Sequence, residues 1–293
     1  MTPDNRIEAF STLGEFLKQF SGDKSKNISN DLNNRFYAEF EELVTRVHIH
    51  NAWFTESNVR NAIASLAASL DKKQLQSWIA PYRDQLNKQK KAYRVAVIMA
   101  GNIPLVGFHD FLCVLLSGNN FIGKLSSDDK FLLPYLSKIL VTIEPRFNEF
   151  IEFTEGQIKN MEAVIATGSN NTARYFDYYF SKYPSIIRKN RNSVAVLTGK
   201  ETTQELKELG KDVFQYFGLG CRNVSKLFVP RGYKFDLFYE AIIGYQDVIH
   251  MNKYGNNYDY NRTVYLMSTD TTLLDNNFLL LKESNSYSSP IGV

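Results

Sequence analysis

Cys221 is the side chain with the clearest capacity for covalent chemistry, because a cysteine thiolate is a strong nucleophile. Apolar residues upstream of it recur with helical spacing and predict a helix over residues 201–217. Gly218 and Gly220 end this helix and let the backbone approach a substrate closely. The apolar residues 227–229 predict a buried strand that holds the loop from its other side. Cys221 is therefore the candidate nucleophile.

A free cysteine is more often a small buried hydrophobic residue than a nucleophile, so Cys221 alone does not decide the function. Its surroundings resemble the cysteine segment of the aldehyde dehydrogenase superfamily. In that segment a helix and a Gln or Gly precede the Cys, and Ser-Lys or Ser-Arg, an aromatic residue and Val follow it. The matching residues here are Gly220, Ser225, Lys226, Phe228 and Val229. The resemblance implies that Cys221 is catalytic.

Helical patterns fill the first ninety residues. Apolar stripes with helical spacing over residues 7–20, 32–47 and 59–70 predict three helices, and Thr55 is a suitable cap for the third. The superfamily resemblance implies that residues 1–90 form the helical N-terminal part of a cofactor domain.

Beyond residue 90, strand patterns alternate with helical ones. The uninterrupted apolar run of residues 93–99 predicts a strand that is buried on both faces. Further strand candidates are residues 120–124, 150–153, 163–166 and 194–197. Helical stripes between them include residues 131–140 and 172–180. This alternation predicts an α/β fold with a parallel sheet, whose strands present their carboxyl ends to dinucleotides.

The ordinary Gly-x-Gly-x-x-Gly fingerprint of dinucleotide-binding domains is not found. The chain instead resembles the variant Rossmann domain of aldehyde dehydrogenases, which has an Asn-x-Pro loop after the first strand, a Lys ending the second and a Thr-Gly-Ser turn after the fourth. Those residues here are Asn102, Pro104, Lys124, Thr167, Gly168 and Ser169. The resemblance implies an NADP-binding Rossmann-like domain over residues 91–197 and a second α/β domain, the catalytic cysteine domain, over residues 198–293.

Each matched residue has a role in this comparison and an ordinary alternative. The Asn102 amide and the Cys221 backbone N–H would hold a developing oxyanion, although Asn before Ile-Pro is also a common turn residue. Lys124 would reach the ribose or a 2′-phosphate, or would simply be solvated. Thr167, Gly168 and Ser169 would bring backbone N–H groups to the pyrophosphate, or form a plain loop-to-helix turn.

The chain as a whole resembles the LuxC-type acyl-CoA reductase family. The resemblance covers segments of residues 51–55, 100–104, 191–197, 220–225 and 253–260. Residues 186–194, where hydrolytic aldehyde dehydrogenases carry a water-activating Glu, contain no carboxylate. The resemblance implies that NADPH reduces an acyl-CoA thioester to an aldehyde through an acyl-Cys221 intermediate. Coenzyme A needs no such base, since its thiol replaces water as the acyl partner.

Ser127 occupies the place where NAD-preferring relatives carry a Glu that repels a 2′-phosphate, so NADP is allowed. Asp128 and Asp129 lie close enough in sequence to weaken that argument. His109 is expected to be a helix-start residue with a satisfied ring, and Cys113 a packing residue.

Composition limits the partners. The 293 residues carry 34 basic and 31 acidic side chains, which are interspersed along the sequence without a basic tail. This charge pattern does not favour nucleic acid or an anionic membrane as a partner. The two cysteines and four histidines show no metal-ligand spacing, so no metal site is expected. The N-terminus lacks an apolar signal core, which predicts a cytoplasmic protein. The C-terminus stops as an apolar strand begins, which suggests truncation, and homo-oligomerisation stays open.

Two other functional classes remain. The chain could be a non-catalytic nucleotide-binding relative with a buried Cys221, or an acyltransferase or thioesterase that uses the cysteine without NADPH. Selective alkylation of Cys221 would argue against the first, and consumption of NADPH with an acyl-CoA would exclude the second.

Overall fold

Short capping signals start the helices of the N-terminal part. The computed structural model describes residues 1–21, 30–89, 91–268 and 272–293. Thr2 and Asn5 form a reciprocal capping box at α1, and Thr55 caps α4 by accepting the N–H of Asn58. The helices are α1 Pro3–Lys18, α2 Asn30–Leu32, α3 Ala38–Arg46, α4 Glu56–Ser69, α5 Lys72–Ile79 and α6 Arg83–Lys88. The predicted helical stripes and the Thr55 cap are confirmed.

Five short apolar strands form one parallel sheet in the order β3-β2-β1-β4-β5. Their bounds are β1 Arg94–Ile98, β2 Asn120–Lys124, β3 Ile151–Thr154, β4 Ala163–Thr167 and β5 Ser185–Arg188. The three middle residues of β1 are buried, which confirms the strand predicted from the run of residues 93–99. Strand β5 was not predicted. It is an edge strand and leaves Ile186 57% exposed, so its sequence lacks a strong buried-strand pattern.

Helices α7 Phe108–Leu116, α8 Leu132–Ile143 and α9 Asn170–Tyr179 connect these strands. An aromatic cluster joins α1 to this part, because the ring of Phe10 packs edge-on against Phe108, Phe111 and Phe147. All four rings are fully buried, and burial of each contributes about 2 to 3 kcal/mol. The helical N-terminal part and the sheet therefore share one hydrophobic core.

The chain divides into two units, Met1–Lys189 and Asn190–Val293. The sequence instead suggested a boundary between residues 197 and 198. The difference comes from β6 Ser193–Val196, which pairs with β7 Val224–Phe228 in a separate parallel sheet. The expectation that residues 194–197 extend the main sheet is therefore wrong.

The second unit also contains α10 Thr203–Phe214, α11 Asp236–Ile242, α12 Asn252–Met267 and the antiparallel pair β8 Leu273–Asp275 and β9 Leu280–Lys282. Residues 227–229 were expected to be a buried strand, but Phe228 is 41% and Val229 is 37% exposed. In the part of the chain that the structure describes, β7 pairs with β6 alone, in a sheet of two strands. Among the described residues, no helix is both long and apolar enough to cross a membrane.

Candidate active site

Cys221 lies on an exposed turn between α10 and β7. A capping box of Thr202 and Glu205 starts α10, which ends at Phe214 rather than at residue 217 as the periodicity predicted. The helix ends early because Gln215 has ψ 135° and the next residues adopt left-handed backbone angles. The prediction that the thiol lies just past a helix end is confirmed.

The backbone before Cys221 is strained. Tyr216 and Phe217 have φ values of 52° and 58°, and Gly218 follows at 75°. The left-handed conformation costs a residue with a Cβ about 1 to 2 kcal/mol, whereas Gly adopts it freely. A segment in this state persists only where its surroundings hold it, and such strain is concentrated at functional sites.

Asn223 holds this loop, and sequence reasoning assigned it no role. Its side chain is buried; Oδ1 accepts the N–H of Gly220 at 2.7 Å and Nδ2 donates to the carbonyl of Asp212 at 2.8 Å. The backbone N–H of Asn223 donates to the Gly220 carbonyl at 3.0 Å, and its own carbonyl accepts the N–H of Ser193 at 3.2 Å. Residues 215–223, here named the Cys221 loop, are thus tied to both α10 and β6.

In the first unit, Lys124 and Thr167 end the two strands that flank β1. Ile98 of β1 is in register with Lys124 of β2 and with Ala166 of β4. Asn102 follows β1 within four residues and is exposed. The structure therefore brings Lys124, Thr167 and the Asn102 segment to the same carboxyl edge of the sheet, where parallel sheets bind nucleotides.

Residues 101–107, here named the Asn102 loop, pack tightly against the turn that follows β2. A Cβ on Gly101 would lie 2.4 Å from Oγ of Ser126, so this position requires glycine. Leu105 is buried and left-handed, with φ 59°. Its N–H donates to Oδ2 of Asp129 at 3.1 Å. Asp129 therefore holds the Asn102 loop much as Asn223 holds the Cys221 loop.

The two aspartates near Ser127 differ. Asp129 is buried, and desolvation raises its pKa to about 6, partly opposed by the Leu105 N–H. Ser127 and Asp128 are exposed, and the Asp128 carbonyl accepts a hydrogen bond from the Asn51 side chain at 3.2 Å. Of the two aspartates, only Asp128 is therefore exposed to solvent.

Two polar groups of the turn after β4 already have hydrogen-bond partners within the fold. Ser169 caps α9 by accepting the N–H of Thr172 at 3.2 Å. The N–H of Gly168 donates to the carbonyl of Arg188 at 3.1 Å, as part of the pairing of β4 with β5. The Gly168 N–H is thus already used by the edge strand β5, which was not foreseen, and its expected role at a pyrophosphate stays a prediction. The first turn of α9 is the remaining candidate.

His109 and Cys113 lie one helical turn apart on α7. Nε2 of His109 is 3.5 Å from the Cys113 thiol, and its ring stacks on Trp78. Burial, with the charge of Asp110, raises the pKa of Cys113 to about 11. Cys113 is thus a poor nucleophile, whereas Cys221 is exposed.

One cavity of about 810 Å³ lies wholly within the second unit, along β7 and β9. Tyr265, Phe238 and the segment of residues 283–290 contribute to its walls. The side chain of Lys226 is turned to the carbonyls of Ser284 and Ser286 at 2.6 and 3.0 Å. Within the described ranges, no group of three metal-ligating side chains is found.

Asn102, Lys124 and Thr167 thus belong to the first unit, and Cys221 belongs to the second. Residues 8–237 match the family model described as acyl-CoA reductase (LuxC). No curated protein matches the chain.

Solved aldehyde dehydrogenases share the fold. An NAD-dependent benzaldehyde dehydrogenase from Corynebacterium glutamicum is 14% identical, with a TM-score of 0.62 over 85% of this chain and 55% of that one. Aldehyde dehydrogenase 21 from Physcomitrella patens, solved with succinate, is 14% identical, with a TM-score of 0.58 over 84% and 52%. Aldehyde dehydrogenase C from Pseudomonas syringae, solved with NAD+ and octanal, is 11% identical, with a TM-score of 0.57 over 85% and 51%. This chain spans about half the length of these enzymes and has their α/β fold.

Proposed function

Because this chain belongs to the acyl-CoA reductase (LuxC) family, we propose that it reduces an acyl-CoA thioester to an aldehyde with NADPH, through a covalent acyl group on Cys221. The observation that carries the proposal is the exposed Cys221 thiol on a strained and well-anchored loop. A buried thiol would have favoured a packing role. The free thiols of Cys113 and Cys221 also suit a cytoplasmic setting, which belongs to the same proposal.

In the proposed reaction, the Cys221 thiolate attacks the carbonyl carbon of the acyl-CoA. A bond forms from Sγ to that carbon, the carbon–sulfur bond to coenzyme A breaks, and the released thiolate takes up a proton. The side-chain amide of Asn102 and the backbone N–H of Cys221 would donate to the carbonyl oxygen as it becomes negative. Such donors act at the transition state, where each is worth about 3 kcal/mol.

Water should compete poorly for the acyl group. Residues 186–194 contain no carboxylate, and Asp110, which meets this segment, is buried and paired with Arg188 at 2.6 Å. The burial of this carboxylate and its ion pair with Arg188 leave it little access to a water molecule. This arrangement supports transfer to a reductant rather than hydrolysis.

The carboxyl edge of the first sheet suits a dinucleotide. Lys124 at the end of β2 and the exposed Ser127 would hold the ribose and its 2′-phosphate. Thr167 at the end of β4 and Ser169, which caps α9, would face the pyrophosphate. The bound NADPH would supply the hydride that converts the thioester to the aldehyde. One neighbour in fold, from Pseudomonas syringae, binds NAD+ and octanal.

The test is the intact mass of the protein, wild type and Cys221→Ser, after incubation with a panel of acyl-CoAs and no NADPH. The proposal expects an acyl adduct on the wild type alone, followed by loss of the adduct and oxidation of NADPH when the cofactor is added. If the folded wild type formed no adduct, the non-catalytic nucleotide-binding alternative would be favoured. An adduct that turned over without oxidising NADPH would instead indicate an acyltransferase or thioesterase.

A further inference from the structure

One buried side chain, that of Asn223, fastens the turn that carries Cys221. Asn223 follows Cys221 by two residues and is only 7% exposed. Both ends of its amide are used, the oxygen by the N–H of Gly220 and the nitrogen by the carbonyl of Asp212. Gly220 directly precedes the cysteine, and Asp212 belongs to the last turn of α10. The amide therefore links the residue next to the thiol to the end of the helix before it.

The intervening backbone could not hold this geometry by itself. Tyr216 and Phe217 are left-handed, and neither is a glycine. A chain released from its anchor would relax such residues toward ordinary backbone angles. Relaxation would shift Gly220 and the adjoining thiol, and a displacement of about 1 Å at a reacting group can cost about 10²-fold in rate.

We propose that Asn223 is a positioning residue for the nucleophile, holding the Cys221 loop so that the thiol meets the acyl carbonyl. The inference rests on the proposed acyl-enzyme step. Asn223 makes no contact with the substrate in this role and acts through Gly220 and the loop backbone. Its neutral amide supplies an acceptor and a donor at once, which neither Asp nor Ala can do.

Two variants separate its contacts. Asn223→Ala removes both. Asn223→Asp keeps the volume and an acceptor for the Gly220 N–H, but sets an oxygen against the Asp212 carbonyl that now accepts at 2.8 Å. A matched control is Asn276→Ala, which removes another asparagine that accepts backbone N–H groups, those of Phe278 and Leu279, in the same unit.

The measurement is the rate of acyl adduct formation on Cys221 from a fixed acyl-CoA without NADPH, together with alkylation of both cysteines by iodoacetamide, resolved by peptide mass. Asn223→Ala and Asn223→Asp are expected to acylate at least tenfold more slowly, because the maximal acylation rate falls while the half-saturating concentration of acyl-CoA changes little. Alkylation of Cys221 should persist, because its thiol stays exposed, and the half-buried Cys113 should stay slow. Asn276→Ala should acylate like the wild type.

The outcomes are distinct. Loss of folding in a variant would speed alkylation of Cys113. If only Asn223→Ala unfolded, the acylation rate of Asn223→Asp would test the positioning role. Wild-type acylation rates in a folded Asn223 variant would overturn the positioning role. Slowing to the same extent in Asn276→Ala would also overturn it, since any lost loop contact would then suffice. Failure of the wild type itself to acylate would reject the proposed function instead.

Discussion

Asp129 in the first unit and Asn223 in the second each accept a backbone N–H from a loop with left-handed residues, but one side chain is a carboxyl and the other an amide. The Asn102 loop is held by a group that titrates with a pKa of about 6. The Cys221 loop is held by a neutral group. A carboxyl changes its charge with pH, whereas an amide stays neutral at every ordinary pH. The contact that holds the Cys221 loop is therefore uncharged, whereas the one that holds the Asn102 loop can gain a charge.

The largest expected effect on activity is that of removing the Cys221 thiol from its loop. Cys221→Ala is expected to remove the covalent step, with a loss of activity of roughly 10⁶-fold. The measurement is the steady-state rate of NADPH oxidation with an acyl-CoA. Cys113→Ala is the control and should retain the rate, because that thiol is half-buried with a raised pKa. Equal losses in both variants would contradict the assignment of Cys221.

Loss of Asn102 should weaken the reaction without abolishing it. Asn102→Ala removes one proposed oxyanion donor and is expected to lower kcat by about 10² to 10³-fold. The effect should fall on kcat rather than on KM for the acyl-CoA, since the donor acts at the transition state. Steady-state kinetics would check this, and a change confined to KM would show that Asn102 only binds substrate.

The charge of Asp129 should make stability depend on pH. Its folded pKa of about 6 lies above the ordinary 3.8, so its contribution to the free energy of unfolding is full below about pH 4 and is lost as the pH rises through 6. The loss, relative to Asp129→Asn, should reach about 3 kcal/mol. Urea unfolding of both proteins at pH 4 and pH 7 measures it.

Only the difference in the free energy of unfolding between the wild type and Asp129→Asn is informative. Carboxyls with a lowered pKa, such as Glu162, change stability with pH in the opposite direction, but they do so equally in both proteins and cancel in the difference. A constant difference between pH 4 and pH 7 would mean that Asp129 does not titrate in this range. The same unfolding measurement on Asn223→Asp would then test whether a carboxyl in the Cys221 loop makes stability depend on pH.

The smallest expected effect concerns cofactor choice at the edge of the Asn102 loop. Ser127→Glu introduces a negative charge next to the proposed 2′-phosphate site and should lower the preference for NADPH over NADH about fivefold, since exposed charges at about 4 Å interact by roughly 1 kcal/mol. The ratio of kcat/KM for the two cofactors measures it. Ser126→Glu is not a useful control, since Ser126 packs on Gly101. An unchanged ratio would place the phosphate elsewhere.

Local sequence signals were sufficient for much of the fold. Residues 120–124 form β2 with the expected bounds, and Thr55 caps α4 as its position before an apolar stripe predicted. These features depend on near neighbours in sequence. Strand β5 was missed because an edge strand with an exposed Ile186 lacks a buried pattern, and residues 194–197 were given to the wrong sheet because strand pairing is a long-range choice.

The sequence by itself determined many of the helices, strands β1 to β4 of the five-stranded sheet and the choice of Cys221 as the thiol to test, because residue type and spacing carry those signals. Only the tertiary structure decided which side chains hold the two loops. Asp129 and Asn223 are ordinary polar residues until folding buries them against Leu105 and Gly220. It also decided that the Gly168 N–H is already bonded, since that depends on where β5 pairs. Buried polar groups take their partners from the whole fold, and local sequence does not name them.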